Sequence, residues 1–422
     1  MMQRLIPFFT FVLILGISIS FSGCQPERTT DKTAAEILGN PDYRGISYGG
    51  YREKSRQIQP SLEEIRSDLE ILNALGIKVL RTYNLQFDFA ANVLKVIRTL
   101  KAENSEFEMY VMLGAWIDCE GAWTAQPNHE KEDFENNSSE IEKAVRLAND
   151  YSDIVKIISV GNEATVHWAT PYFVHPRVIL KWVTHLQTLK KEGHLPPQLW
   201  ITSSDNFASW GGGDTAYHVP ELNALIQAVD YVSMHTYPFH DTHYDPSFWE
   251  MAVEKGQRQG DTKKARVEAA MESATGHAIS QYQSVQAYLD GLGINKPIHI
   301  GETGWATQDD RLFNAQGSGA ADEYKQALYY NKINLWADKN KVSCFYFEAF
   351  DEHWKVVTNP NDPENHFGLF TREGKAKYAL WEKVDAGVLK GYSRDQNPVE
   401  KTFNGDEAAL WTTVNQPKSK KQ

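Results

Sequence analysis

The feature that most constrains this chain is an alternation of short apolar segments, each ending in a polar or glycine-led turn, with helical patterns. Arg44 to Tyr48 reads as a strand ending at Gly49-Gly50. Ser61 then caps a helix, with Glu64 at the capping-box spacing and Leu62, Ile65, Leu69, Leu72 and Leu75 on its apolar face. Further strands are expected at Lys78–Tyr83, Met109–Gly114, Ile154–Val160, Gln198–Ser203, Tyr231–His235, Pro297–Gly301 and Val342–Phe347. Between and after them, helices are expected near Phe89–Leu100, Ser139–Ala148, Pro176–Lys191, Pro220–Ala228, His277–Leu289, Ala321–Asp338 and Lys375–Val388. Eight strands and eight helices without obvious repeats predict an α/β fold, a single (β/α)8 TIM barrel over residues 43–390, with an insertion after strand six at about 239–276. A doubly wound open sheet is the competing architecture, but no early strand leads into a Gly-rich dinucleotide or Walker loop.

Barrel enzymes build their active sites where strands run out into the following loops. Strand four ends Ser159-Val160-Gly161-Asn162-Glu163, and strand seven ends His299-Ile300-Gly301-Glu302-Thr303-Gly304-Trp305. Two glutamates therefore emerge at one face of the barrel. Carboxyl groups about 5–5.5 Å apart are what retaining glycoside hydrolysis requires, one as nucleophile and the other first as acid and then as base. Taken singly, each is equally readable as an ordinary surface carboxylate.

These residues carry a resemblance. Asn162-Glu163 with Glu302 resembles the clan A glycoside hydrolases, and the strings VGNEA (160 to 164), IGETGW (300 to 305), FYFEAFDEHWK (345 to 355) and RTYN (81 to 84) resemble glycoside hydrolase family 17, the β-1,3-glucanases and glucanosyltransferases. It spans roughly residues 44 to 390. The resemblance implies that Glu163 is the general acid/base and Glu302 the nucleophile, with Arg81 beneath the nucleophile, Tyr237 touching it and Asn162 on the sugar 2-hydroxyl. It places Tyr83, Glu348 and Lys355 along the substrate cleft, and it implies no metal and no cofactor. The expected substrate is a β-1,3-glucan such as laminarin. A glucanosyltransferase, a non-catalytic glycan-binding lipoprotein and a β-1,4-glucan or mannan specificity stay open.

The chain has 12 Trp among 422 residues. Trp305 and Trp354 are expected as stacking platforms, with Trp116, Trp123, Trp168 and Trp210 following strand ends on the same face. A net charge of -12 argues against a nucleic-acid partner, since phosphate binding draws on clustered Lys and Arg, and fits an uncharged one. His235, His240 and His243 with Asp241 and Asp245 invite a metal reading, but the stretch contains Pro238 and reads as a loop, without the fixed projection that zinc ligation uses. His235, at a strand end, is expected to hydrogen-bond within the site.

Residues 1–23 have a short basic start, an apolar run and Ser22-Gly23 before Cys24, the arrangement of a secretory signal. The arrangement also resembles a bacterial lipobox, with Phe21 where Leu is usual, and implies lipidation of Cys24. Residues 24–42 are expected to be a polar linker, and 391–422 a partly ordered extension. The expectation is an exported, membrane-anchored monomer held by its lipid alone. Cys119 and Cys344 are expected as buried free thiols, with one disulfide as the alternative.

Overall fold

The computed structural model describes residues 32–258 and 262–418. The signal sequence, Cys24 and the start of the expected linker lie outside them. Eight parallel strands close into a barrel: β1 (Arg44–Ser47), β2 (Ile77–Arg81), β3 (Tyr110–Ala115), β4 (Val155–Asn162), β5 (Trp200–Asn206), β6 (Val232–His235), β7 (Ile298–Gly304) and β8 (Cys344–Phe347). Their order around the barrel is sequential, with β1 bonded to β2 on one side and β8 on the other. Parallel strands covered by helices are buried on both faces, which is why β3 and β4 read as nearly unbroken apolar runs.

The outer helices are α1 (Leu62–Ala74), α2 (Phe89–Glu103), α3 (Phe134–Asp150), α4 (Pro176–Lys191), α5 (Pro220–Ala228), α6 (Lys263–Gly291) and α7 (Glu323–Asn340). The capping box of α1 is formed, with the Ser61 hydroxyl accepting from the Glu64 amide and the Glu64 carboxylate accepting from the Ser61 amide at 2.7 Å. Pro176 and Pro220 occupy first-turn positions, where a missing N–H leaves no bond unmade.

Four expectations are corrected. The stretch around His240 is not a loop: Pro238–Tyr244 is a helix, with Pro238 again in its first turn. The helix expected at His277–Leu289 runs back through Gly276 into the insertion, as one continuous 29-residue helix, α6. An interior glycine costs about 1 kcal/mol against alanine, and burial of Met271, Ala274 and Ala278 on both sides of it outweighs that. The helix expected at Lys375–Val388 shrinks to Trp381–Asp385 behind a tight turn, because Ala376 is held extended by bonds to Glu400 and Thr402. Lastly, the linker is partly structured. Thr33 caps a short helix, Ala34–Ile37, whose apolar residues cluster with Tyr43, Val79, Tyr110, Met112, Ile157, Tyr231 and Phe345.

The C-terminal segment is likewise folded onto the barrel. A hairpin at 393–398 and the helix Glu407–Thr413 bury Arg394, Leu410 and Val414. After β3, a small antiparallel pair, Cys119–Glu120 with Asn128–Glu132, has no sequence signal because its second strand is charged and has no buried residue. Cys119 and Cys344 are buried free thiols.

Candidate active site

The end of β4 is shaped by backbone geometry. Gly161 has φ +78°, and a Cβ there would come within 2.9 Å of the Ala164 Cβ, so the position excludes side chains on two counts. Glu163 itself has φ +46°, a left-handed conformation uncommon for a residue with a Cβ. Its amide donates to the Ser204 carbonyl at 3.0 Å, which holds the turn and directs the carboxyl group over the barrel mouth. Such strain persists only where its surroundings over-determine it.

Across the mouth, Glu302 on β7 is gripped from three sides. Arg81, at the end of β2 and fully buried, donates to Glu302 Oε1, to the Gly301 carbonyl at 2.9 Å and to Asn162 Oδ1 at 2.6 Å. Tyr237 donates its hydroxyl to Glu302 Oε2 at 2.8 Å. His235 lies between the two acids, with Nδ1 at 3.0 Å from Glu163 Oε1 and 3.5 Å from Glu302 Oε2. Its Nε2 contacts Ser204 Oγ at 2.7 Å, and Ser204 in turn contacts Ser233 at 2.8 Å. Gly301 leaves room for that hydroxyl pair, since a Cβ there would sit 2.1 Å from Ser233 Oγ and 2.4 Å from Ser204 Oγ.

The electrostatics drive the two acids apart. Burial, reinforced by the charge of Glu302, pushes the Glu163 carboxyl up to about 8. Burial works against ionising Glu302 as well, but the Arg81 guanidinium, the hydroxyls of Tyr237 and Tyr83 and, in acid where its ring is charged, His235 hold it below the ordinary carboxylate value. Burial also pushes His235 down to about 4. At neutral pH the imidazole is therefore uncharged, and Arg81 with the hydroxyls keeps Glu302 ionised. Facing carboxyl groups, one protonated and one charged, can act as acid and nucleophile on one bond.

Both acids line a cavity of about 1050 Å³ that also includes Asn162, Tyr237, Tyr83, Glu348, Lys355, Trp354, Trp116 and Trp168. Lys355 donates to the buried Glu348 and lies 3.8 Å from Glu352. Trp116, Trp123 and Tyr172 form an aromatic cluster on the Glu163 side, with Trp123 stacked on Tyr172 at 4.9 Å. Trp123 is 62% exposed and Trp168 60%, so their rings are open to a ligand.

Two tryptophans are corrected. Trp305 does not line the cavity. It is fully buried against Phe239 and Trp249 of the insertion and against Tyr329, and its indole N–H donates to the Ala320 carbonyl at 2.8 Å. Trp210 is equally buried and donates to the Ser233 carbonyl at 2.9 Å.

Sequence reasoning missed Tyr51, Arg56, Asn206 and Glu364, all of which line the cavity. Asn206 ends β5, so the strand-end rule applied there would have found it. Glu364 sits in the long excursion after β8, paired with His240 at 3.3 Å, and no local pattern marks it. Among the described residues, Glu163, His235 and Glu302 are the one group of at least three potential metal ligands close together, their ligand atoms lying within 4.8 Å of one another. His240 and Asp241 of the 235–245 stretch do not join it: His240 turns to Glu364, and Asp241 to His277 at 3.0 Å.

A family model described as the BtgE/BtgC glycoside hydrolase domain matches residues 45–368. An endo-laminarinase from Formosa Hel1_33_131 is 57% identical, with a TM-score of 0.90 over 93% of this chain and 99% of that one. A glucan 1,3-beta-glucosidase of Arthroderma benhamiae is 25% identical over 76% of this chain and 85% of its own length. The chain spans only 39% of an Aspergillus niger relative, a glucan endo-1,3-beta-glucosidase btgC, at 26% identity over 74% of this chain. A family 17 beta-1,3-glucanosyltransferase from Rhizomucor miehei shares the fold at 21% identity and a TM-score of 0.54, over 80% of this chain and 96% of that one.

Proposed function

We infer the function from one premise: this chain belongs to the BtgE/BtgC glycoside hydrolase domain family. It is a hydrolase of O-glycosyl bonds, and its substrate is β-1,3-linked glucan of the laminarin type, cleaved with retention of configuration. The observation that carries this reading is the pair Glu163 and Glu302, close together and biased to opposite protonation states. Glu302 attacks the anomeric carbon while Glu163 gives its proton to the departing oxygen. The product is a glucosyl ester of Glu302 and a free sugar hydroxyl. Esterification removes the negative charge of Glu302, so the Glu163 carboxylate left behind no longer faces a like charge. It then takes a proton from water as that water attacks the same carbon, which releases the sugar and restores both acids. Asn162, oriented by Arg81, meets the sugar 2-hydroxyl, a contact that strengthens in the transition state.

A panel of polysaccharides assayed for reducing ends tests this reading. Laminarin is expected to give the largest signal, and equal or greater release from β-1,4-glucan or mannan would overturn the linkage assignment. Products longer than the starting laminari-oligosaccharide would assign the same site to glucanosyl transfer. Binding without cleavage would make the chain a glycan-binding protein.

The enzyme works as a monomer, exported and held to a membrane through a lipid on Cys24. The sequence pattern before Cys24 supports the anchor. Cys24→Ser is expected to move the protein from the membrane to the soluble fraction without altering its specific activity. Retention in the membrane would contradict the anchor.

A further inference from the structure

Beneath one end of the cleft lies a buried ionic knot that catalysis does not use. Asp68, on α1 and fully buried, accepts from Arg52 at 2.6 and 2.9 Å, from the Tyr48 hydroxyl at 3.0 Å and from Arg394 at 2.9 Å. Arg52 and Tyr48 belong to the segment that follows β1. Arg394 belongs to the C-terminal hairpin, outside the 45–368 stretch shared with the family. The hairpin reaches that segment directly through Asp395, which accepts from Arg52 Nε at 3.1 Å, and indirectly through Asp68, the acceptor that Arg394 shares with Arg52 and Tyr48. The Arg394 guanidinium further covers Phe350, just beyond β8, at 3.9 Å.

What the knot holds is a wall of the cavity. Tyr48, Tyr51 and Arg56 line it. Tyr51 is tied to Glu352 by its amide at 3.2 Å and packs edge-on to Trp354, and the Arg56 guanidinium lies 4.5 Å over the Trp354 ring. The wall faces the glycone part of the substrate. The acid Glu163 must stand beside the leaving group, and it sits on β4, diametrically opposite β8 in the closed barrel. Residues after β1 and β8 are therefore reached by going away from the leaving group.

We propose that the C-terminal segment is a positioning strap: through Arg394 and Asp395 it fixes the wall at 48–56 and thereby sets how well the enzyme holds the distal glycone sugars of a long glucan. Arg394 and Asp395 are positioning residues, since neither touches the cavity. The proposal rests on the glucanase reading above. A displaced wall leaves the reacting carboxyl groups in place but misaligns sugars far from them.

The test compares laminarihexaose with laminaritriose on the full-length enzyme. Arg394→Met is expected to raise KM for the hexaose about 10-fold, with kcat held within about twofold and the triose affected less than about twofold. Arg394→Lys is expected to recover part of the loss. Asp395→Asn keeps a residue tolerant of the left-handed turn at that position, where φ is +51°, and is expected to shift the hexaose KM in the same direction by a smaller factor. If Arg394→Met does not fold, Asp395→Asn decides. Equal losses on both substrates, or no change on either, would overturn the strap. A wild type inactive on both oligosaccharides would instead overturn the glucanase reading.

Discussion

Glu302→Ala is expected to lower laminarin cleavage on the order of 10⁴- to 10⁶-fold, the scale on which covalent nucleophiles matter, while the circular dichroism spectrum stays that of the wild type. The size follows from the site. Among the described residues Glu302 is the one carboxylate gripped by both the Arg81 guanidinium and the Tyr237 hydroxyl, so no described neighbour can substitute for it as a charged nucleophile. Removing the side chain opens a gap in front of Arg81, into which a small anion fits. Azide is therefore expected to restore part of the turnover on a substrate with an activated leaving group, and to give an α-configured glucosyl azide. Unchanged glucan breakdown in this variant would mean that the bond is broken elsewhere.

Glu163→Gln is expected to lower kcat on laminarin by about 10²- to 10⁴-fold, the range for loss of a general acid. The loss should be much smaller in the first step on a dinitrophenyl glucoside, whose leaving group needs no proton. The same residue sets the alkaline limit of the wild type. Glu163 must be protonated in the free enzyme, and its carboxyl is pushed up to about 8, so kcat/KM falls as pH rises through about 8. Glu302 must be ionised and is held below the ordinary carboxylate value, so the acid limb lies below the range of a free glutamate. The profile is thus broad and bell-shaped, and the alkaline limb should vanish in Glu163→Gln. If that limb persisted in the variant, another group would be the titrating acid.

What was legible in the sequence was whatever periodicity and strand ends encode. Strands of a covered parallel barrel are buried on both faces, so β3 and β4 stand out as nearly unbroken apolar runs. The two glutamates stood out because glycine preceded or nearly preceded each at a strand end. Contacts made by distant segments were not legible. Trp305 looks like a cleft residue by position, yet Phe239 and Trp249 of the insertion cover it. Arg394 looks like part of a loose tail, and only the fold shows it beside Asp68. The helix Pro238–Tyr244 was hidden by a proline that breaks helices at interior positions but is accommodated in a first turn. Thr33 to Ile37 was hidden by brevity, since a single capped turn among polar residues has no periodicity to read.

The most direct test of the central claim is to trap the intermediate. A 2-fluoro laminaribioside with an activated leaving group slows both steps, and the second step more, so the glycosyl-enzyme accumulates. Mass spectrometry of the peptides is expected to place one glycosyl group on Glu302 and none on Glu163. A label on another residue, or no label together with release of an α-configured sugar, would contradict a retaining mechanism through Glu302.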